Sequence, residues 1–184
     1  MARQRRFCPG GILQHVYNRG SRKGGLFEFD DDYTLFIQLL EEARSVRPMR
    51  ILAYCIMPTH WHLLLWPEQD GDLSRFMHWL EGTHAHYWRY ESATVGQGAV
   101  YQSRYGAVPI EDSWHLLIAR RYIERNALAA SLCDRAEAWP WSSVARGVMD
   151  NQRLHMDQPP FPLPSNWLEI LNSETEWEPQ EDGV

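Results

Sequence analysis

Residues 50–66 constrain the fold more than any other stretch of this chain. They read Arg-Ile-Leu-Ala-Tyr-Cys-Ile-Met-Pro-Thr-His-Trp-His-Leu-Leu-Leu-Trp. Two apolar runs of strand length, split by Pro58-Thr59, predict two buried β-strands. The tight connection favours antiparallel pairing, with two contiguous bent segments as the alternative. His60 and His62 sit in the second run. In a strand, side chains i and i+2 share a face, about 7 Å apart at Cα. Trp61 turns the other way, into the core. Two imidazoles on one face can serve one small target such as a metal ion. They do not complete a metal site, so further donors must come from elsewhere. The plainer alternative is a pair of hydrogen-bonded core or surface histidines.

A second His-x-His pair, His84 and His86, acts as a control. Its surroundings, from Leu73 to Trp88, read as helix. Helical residues i and i+2 lie about 200° apart and do not face each other. This pair cannot chelate one ion, and replacing His84 is expected to be nearly silent.

Strands and helices alternate around the central run. Ile12 to Asn18 reads as a strand, followed by a loop containing Gly24-Gly25. Asp30-Asp31-Asp32 offers an N-cap and an acidic first turn to a helix through about Ser45. Pro48 ends it. Asp72 can cap a helix to about Tyr90, Gly96-Gln-Gly98 forms a flexible loop, and Ala99 to Ile110 is extended. Asp112 or Ser113 can cap a long helix to about Ser131. This order predicts an α+β fold with helices on one face of a sheet. Trp139-Pro-Trp-Ser-Ser143 is compact and aromatic and is expected to pack on the body. Residues 169–184 hold six acidic and no basic side chains, which predicts a mobile, solvated tail.

Charge is unevenly spread. Residues 1–125 carry 15 basic and 14 acidic side chains, and residues 126–184 carry 3 and 10. The overall net charge of −6 therefore hides a near-neutral body. Of the 18 basic residues, 17 are Arg, which suits bidentate phosphate contacts and base stacking, although a GC-rich genome that encodes Arg cheaply explains the count equally well. Non-specific DNA affinity should be weak, because it depends on phosphate neutralisation. No run approaches the ~18 apolar residues of a membrane span. The basic N-terminus lacks the apolar core of a secretion signal. Cys8, Cys55 and Cys133 are odd in number and far apart, which predicts a reduced, cytoplasmic setting.

The last helix carries Arg120-Arg-Tyr-Ile-Glu-Arg-Asn-Ala-Leu128. Tyr122 and Asn126 are i and i+4 and share a face. Leu116, Ile123 and Ala127 form a neighbouring core stripe. A phenol titrating near 10 is a poor nucleophile unless cations or a metal stabilise its phenolate. Arg121, Arg125 and a metal are the candidates. A Tyr packed at a helix edge with its hydroxyl bonded is the alternative.

Five blocks together resemble the tyrosine transposases of the IS200/IS605 (HUH) type, and among them the REP-associated tyrosine transposases. They are His15-Val-Tyr-Asn-Arg-Gly20, residues 53–65 of the histidine strand, Tyr101-Gln-Ser-Arg-Tyr105, Arg121 to Leu128, and Trp139 to Ser143. They occur in the family's order over about residues 10–145. The histidine and tyrosine blocks are specific, and the aromatic ones alone are weak. Two departures stand out. Ala127 replaces the family's usual Pro and should merely extend the helix. Thr59 replaces the usual Asn before the first His and still suits a turn.

The resemblance implies a ferredoxin-like or RRM-like antiparallel sheet with helices packed on it. It implies a transposase domain over 1–147 and a Pro-rich acidic extension over 148–184. It places a divalent metal, Mg²⁺ or Mn²⁺, at His60 and His62 with Asn126 as third ligand, and the nucleophile at Tyr122. The implied chemistry is cleavage and rejoining of single-stranded DNA beside hairpins, REP-like or at transposon ends, through a 5′-phosphotyrosine. Asn18, Arg19, Gln102, Arg104, Tyr105, Arg121 and Arg125 are the candidate DNA contacts. No membrane partner is expected, and monomer and homodimer both remain open. Three other readings compete: a non-catalytic hairpin-binding regulator on the same fold, a water-using phosphodiesterase, and a zinc deaminase. The last lacks its Pro-Cys-x-x-Cys element.

Overall fold

The computed structural model describes residues 8–21, 25–91, 98–147 and 153–174. The basic N-terminal run through Phe7, residues Gly24, Gly96 and Gln97, and the acidic run after Glu174 lie outside the described residues. Strand β1 (Gln14–Arg19) leads to helix α1 (Asp30–Val46), strands β2 (Arg50–Met57) and β3 (His60–Trp66), helix α2 (Asp72–Glu91) and strand β4 (Gly106–Pro109). The strands form one antiparallel sheet in the order β2-β3-β1-β4, which is the expected ferredoxin-like α+β arrangement. Met57 pairs with His60 across Pro58-Thr59, so β2 and β3 form a hairpin and not one bent segment. Among the described residues, no helix is long and apolar enough to cross a membrane.

Helices cover both faces of the sheet, contrary to the one-sided arrangement expected. On one face, Val16, Trp61, Leu63 and Leu65 pack with Phe36, Leu40, Phe76 and Leu80 of α1 and α2. On the other, α3 (Ser113–Glu124) and α4 (Asn126–Ala129) lie over β2 and β3. There Leu116, Ala119, Ile123 and Ala127 meet Leu52, Ala53, Cys55 and Leu64. The reason lies in β2, which is buried at every position from Ile51 to Met57 and so has two faces to cover. Over β1 and β4 that second face stays open, with Tyr17 and Val108 exposed.

Two helix ends depart from expectation. Phe29, not an Asp, occupies the cap of α1; Asp32 reaches back to accept hydrogen bonds from the backbone N–H groups of Glu28 and Phe29. The predicted long last helix breaks at Arg125 (φ −91°, ψ −4°) and resumes as the single turn α4, so Ala127 does not simply extend it. The Arg125 backbone sits in the sparsely allowed bridge region, while its side chain reaches away to a later segment.

That later segment is the largest correction. Residues 169–172, expected to be solvated, belong to helix α5 (Trp167–Asn172), which buries Trp167, Ile170 and Leu171 against Ala136. The i, i+3, i+4 apolar stripe outweighs the neighbouring acidic residues. The aromatic block packs as expected and covers the free edge of β2. Ile56 N–H donates to the Trp141 carbonyl, Ser143 N–H to that of Tyr54, and Asp157 N–H to that of Ile51. Pairing an edge in this way removes a template for aggregation.

Candidate functional site

β3 presents His60 and His62 on the same face, with ring centroids 5.2 Å apart and planes perpendicular. Each ring has its Nδ1 occupied. Thr59 Oγ1 lies 2.9 Å from His60 Nδ1, and His15 Nε2 lies 2.9 Å from His62 Nδ1. The ligand atom on each ring is then Nε2, which in His60 also contacts Asn126 Oδ1. Burial is the main cause that keeps both rings neutral: it lowers the His60 pKa and brings that of His62 down to about 3, with His15 and His60 adding to the latter. His15 falls to about 4, again chiefly through burial. Neutral imidazole is the metal-binding form.

α3 and α4 bring the tyrosine block over this pair. Asn126 Oδ1 is 3.4 Å from His60 Nε2. Two donors on adjacent positions of one octahedral ion at ~2.1 Å would be about 3 Å apart, so imidazole and amide are close to the required spacing. Two imidazoles and an amide oxygen fit a divalent ion, with the remaining positions left to water or substrate oxygens. Among the described residues, no cluster of three or more His, Cys, Asp or Glu side chains is placed to hold a metal. Asn126, the third donor that the resemblance implies, is the one beside His60. The Tyr122 ring meets that of His62 edge-on at 5.4 Å and that of His15 at 5.7 Å, and Tyr122 is 54% exposed. The predicted sharing of one helix face by Tyr122 and Asn126 is what lets both reach the histidines.

An open pocket of about 610 Å³ joins these groups to the loop before β4. Arg19, Gln102 and Arg104 line it with exposed side chains. Among the described residues no carboxylate lines it, which suits an anionic ligand. Two predicted contacts sit differently. Asn18 borders the pocket, but its buried amide donates to Glu81 and to the Ser103 carbonyl and accepts from Arg19 N–H. It fastens the loop to the sheet. Tyr105 is buried, its hydroxyl 3.4 Å from that of Ser74.

Arg121 and Arg125 are not brought to the histidine pair. Arg121 donates to the carbonyls of Ile170 and Ser173, and Arg125 to those of Leu171 and Ser173. They grip the C-terminal end of α5, where cations complement exposed carbonyls. Glu124 lies beneath, fully buried. It accepts from Arg120 (3.0 Å), Ser143 (2.8 Å) and Trp167 Nε1 (2.6 Å). The tyrosine helix is thereby tied to both the aromatic block and α5.

Sequence reasoning passed over His15, Tyr17 and Glu124. The first two alternate with Arg19 on one strand face, a period-2 signal that was present in the His15–Gly20 block. Glu124 gave no signal, since a helical Glu flanked by arginines reads as solvated. The control pair also behaves differently from expectation. His84, whose replacement is expected from the sequence to be nearly silent, sits in the core. It is 1% exposed, packs on Phe27 and Phe36, and lies 2.7 Å from the Tyr101 hydroxyl.

The fold and these motifs agree with the comparisons. The family model for IS200-like transposases matches residues 15–126, more than half of the chain. The chain belongs to the IS200-like transposase family. Among solved structures it resembles a REP-associated tyrosine transposase bound to a REP hairpin, at 22% identity and TM-score 0.63, covering 84% of this chain and 92% of that one. At that identity the likeness is one of fold. A transposase-like protein from Deinococcus radiodurans R1 aligns at 19% identity and TM-score 0.44 over 67% of this chain and 96% of that one, too distant to carry an argument. No curated protein matches the chain.

Proposed function

We propose that this transposase cuts and rejoins single-stranded DNA beside hairpins, with Tyr122 as nucleophile and Mg²⁺ or Mn²⁺ held by His60, His62 and Asn126. The carrying observation is the Tyr122 ring set edge-on against His62, beside the His60–Asn126 contact, while Nδ1 of each histidine is turned to another partner. When bound, the divalent ion supplies Lewis-acid polarisation of the scissile phosphate. Tyr122 attacks phosphorus in line. Its hydroxyl proton passes to solvent, a phosphotyrosyl ester forms at the 5′ end as the bond from phosphorus to the 3′ oxygen breaks, and that oxygen takes a proton from solvent to leave as a hydroxyl. The ester retains the energy of the broken bond, so another 3′-hydroxyl can attack it and release Tyr122. Arg19, Gln102 and Arg104 bind the flanking strand. Arg121 and Arg125 act on the tyrosine indirectly, by fixing its helix to α5. The similar protein solved with a REP hairpin supports hairpin DNA as the substrate.

The test is incubation with end-labelled hairpin DNA carrying single-stranded flanks, plus Mn²⁺, followed by a denaturing gel. A covalent protein–DNA adduct that disappears in Tyr122→Phe is the expected result. Cleavage without an adduct would assign the nucleophile to water. Hairpin binding without cleavage would leave a regulator on this fold.

A further inference from the structure

Tyr17 belongs to the open half of the sheet, beside the proposed cleavage site. It pairs with Gly106 across β1 and β4. A Cβ at position 106 would fall onto Cζ, Cε1 and Cε2 of the Tyr17 ring. Gly106 has no positive φ, so space rather than backbone geometry requires glycine here. The ring lies across the neighbouring strand with one side against that glycine. The residue is nevertheless 42% exposed and borders the pocket. Its centroid is 6.0 Å from that of His62 and 5.5 Å from that of His15. Arg19, two residues along the same strand face, and Arg104 offer cations beside it. Tyr105, the one aromatic residue among the expected DNA contacts, is buried.

We propose that Tyr17 is a stacking platform for one nucleobase of the single-stranded DNA, the base beside the scissile phosphate. An exposed aromatic face in a cationic groove is how proteins hold unpaired bases, because every base has a π-face to offer. The inference rests on the single-stranded DNA reading above. The bland alternative is that the ring only fills the space over an edge glycine. A leucine would fill that space equally well but would provide no π-face.

The experiment uses the full chain in EDTA, so that binding is read without cleavage. Hairpin oligonucleotides carry 2-aminopurine at successive positions of the single-stranded flank. Wild type and Tyr17→Phe are expected to quench fluorescence at one position. Tyr17→Leu should lose that quench and bind roughly 5- to 150-fold more weakly. In Gly106→Ala the added methyl must push the ring aside, so the same quench should weaken although Tyr17 remains; this second variant carries the test if the leucine protein fails to fold. Tyr17→Leu with unchanged affinity and quench would overturn stacking while sparing the function. An unchanged quench in Gly106→Ala would overturn it too. Absence of any single-stranded DNA binding by wild type would overturn both readings.

Discussion

His15 Nε2 and His62 Nδ1 stand 2.9 Å apart, a diagonal contact between β1 and β3 that joins two neutral imidazoles. With His62 Nδ1–H donating to His15 Nε2, the contact fixes the orientation of His62 and leaves the Nε2 lone pair toward the pocket. Partners of this kind around a metal ligand typically contribute 10–100-fold in affinity. His15→Ala should weaken Mn²⁺ binding by about that factor with the fold unchanged, as measured by calorimetric titration. Undiminished binding would show His15 to be a bystander.

His60→Ala and His62→Ala should each abolish DNA cleavage while leaving circular dichroism and hairpin binding in EDTA close to wild type. Either variant cleaving at the native rate with Mn²⁺ present would remove the metal assignment.

Tyr122→Phe deletes one oxygen from a side chain that is 54% exposed. Its stability should stay within about 0.5 kcal/mol of wild type. Its covalent adduct should vanish and its hairpin affinity persist. Mass spectrometry that maps a wild-type adduct to another tyrosine would refute the choice of Tyr122. Tyr101 is a poor candidate, since burial raises its pKa far above that of an ordinary phenol.

His84→Ala leaves a cavity beside Phe27 and Phe36 and deprives the Tyr101 hydroxyl of a partner. It should cost about 2–5 kcal/mol in urea unfolding, while the metal dependence of cleavage stays unchanged. Burial lowers the His84 pKa from 6.5 to about 3. The unfolded chain therefore binds the extra proton between these values. The stabilising effect is fully present above about pH 6.5 and is lost progressively as pH falls toward 3. His15 and His62 act in the same direction. Thermal melts of His84→Phe should decline less steeply over this range than those of wild type.

Trp167→Ala should destabilise the protein by about 3–5 kcal/mol, because it empties a core position and leaves one oxygen of buried Glu124 without its donor. Arg125→Ala should slow adduct formation without eliminating it, since it loosens the tyrosine helix and removes no reacting group. Equal adduct rates in Arg125→Ala and wild type would disconnect α5 from the site.

Local patterning made most of the sheet legible. The apolar runs around Pro58-Thr59 set β2 and β3 to the residue, and alternation placed His60 and His62 together. Which faces were covered was not legible, because a strand buried on both sides looks like any apolar run until its partners are known. The candidate site divides similarly. That Tyr122 and Asn126 share a face followed from helical spacing, while the roles proposed for them came only with the family resemblance. Diagonal contacts such as His15 with His62 depend on strand register, which no single segment specifies. Arg121 and Arg125 looked available because their partners are backbone carbonyls of α5, and carbonyls carry no sequence signature. The acidic count near the C-terminus hid the three apolar residues that dock α5.

The grip of Arg121 and Arg125 on Ser173 also orders events in time. Those arginines reach carbonyls 46–52 residues further along the chain. At about 5–20 residues per second, a ribosome needs several seconds to add that stretch. The Tyr122 helix therefore leaves the ribosome before the segment that fastens it exists. A nascent chain holds every family motif while its tyrosine helix is still unbraced, and that helix is fastened only once the chain through Ser173 has followed it.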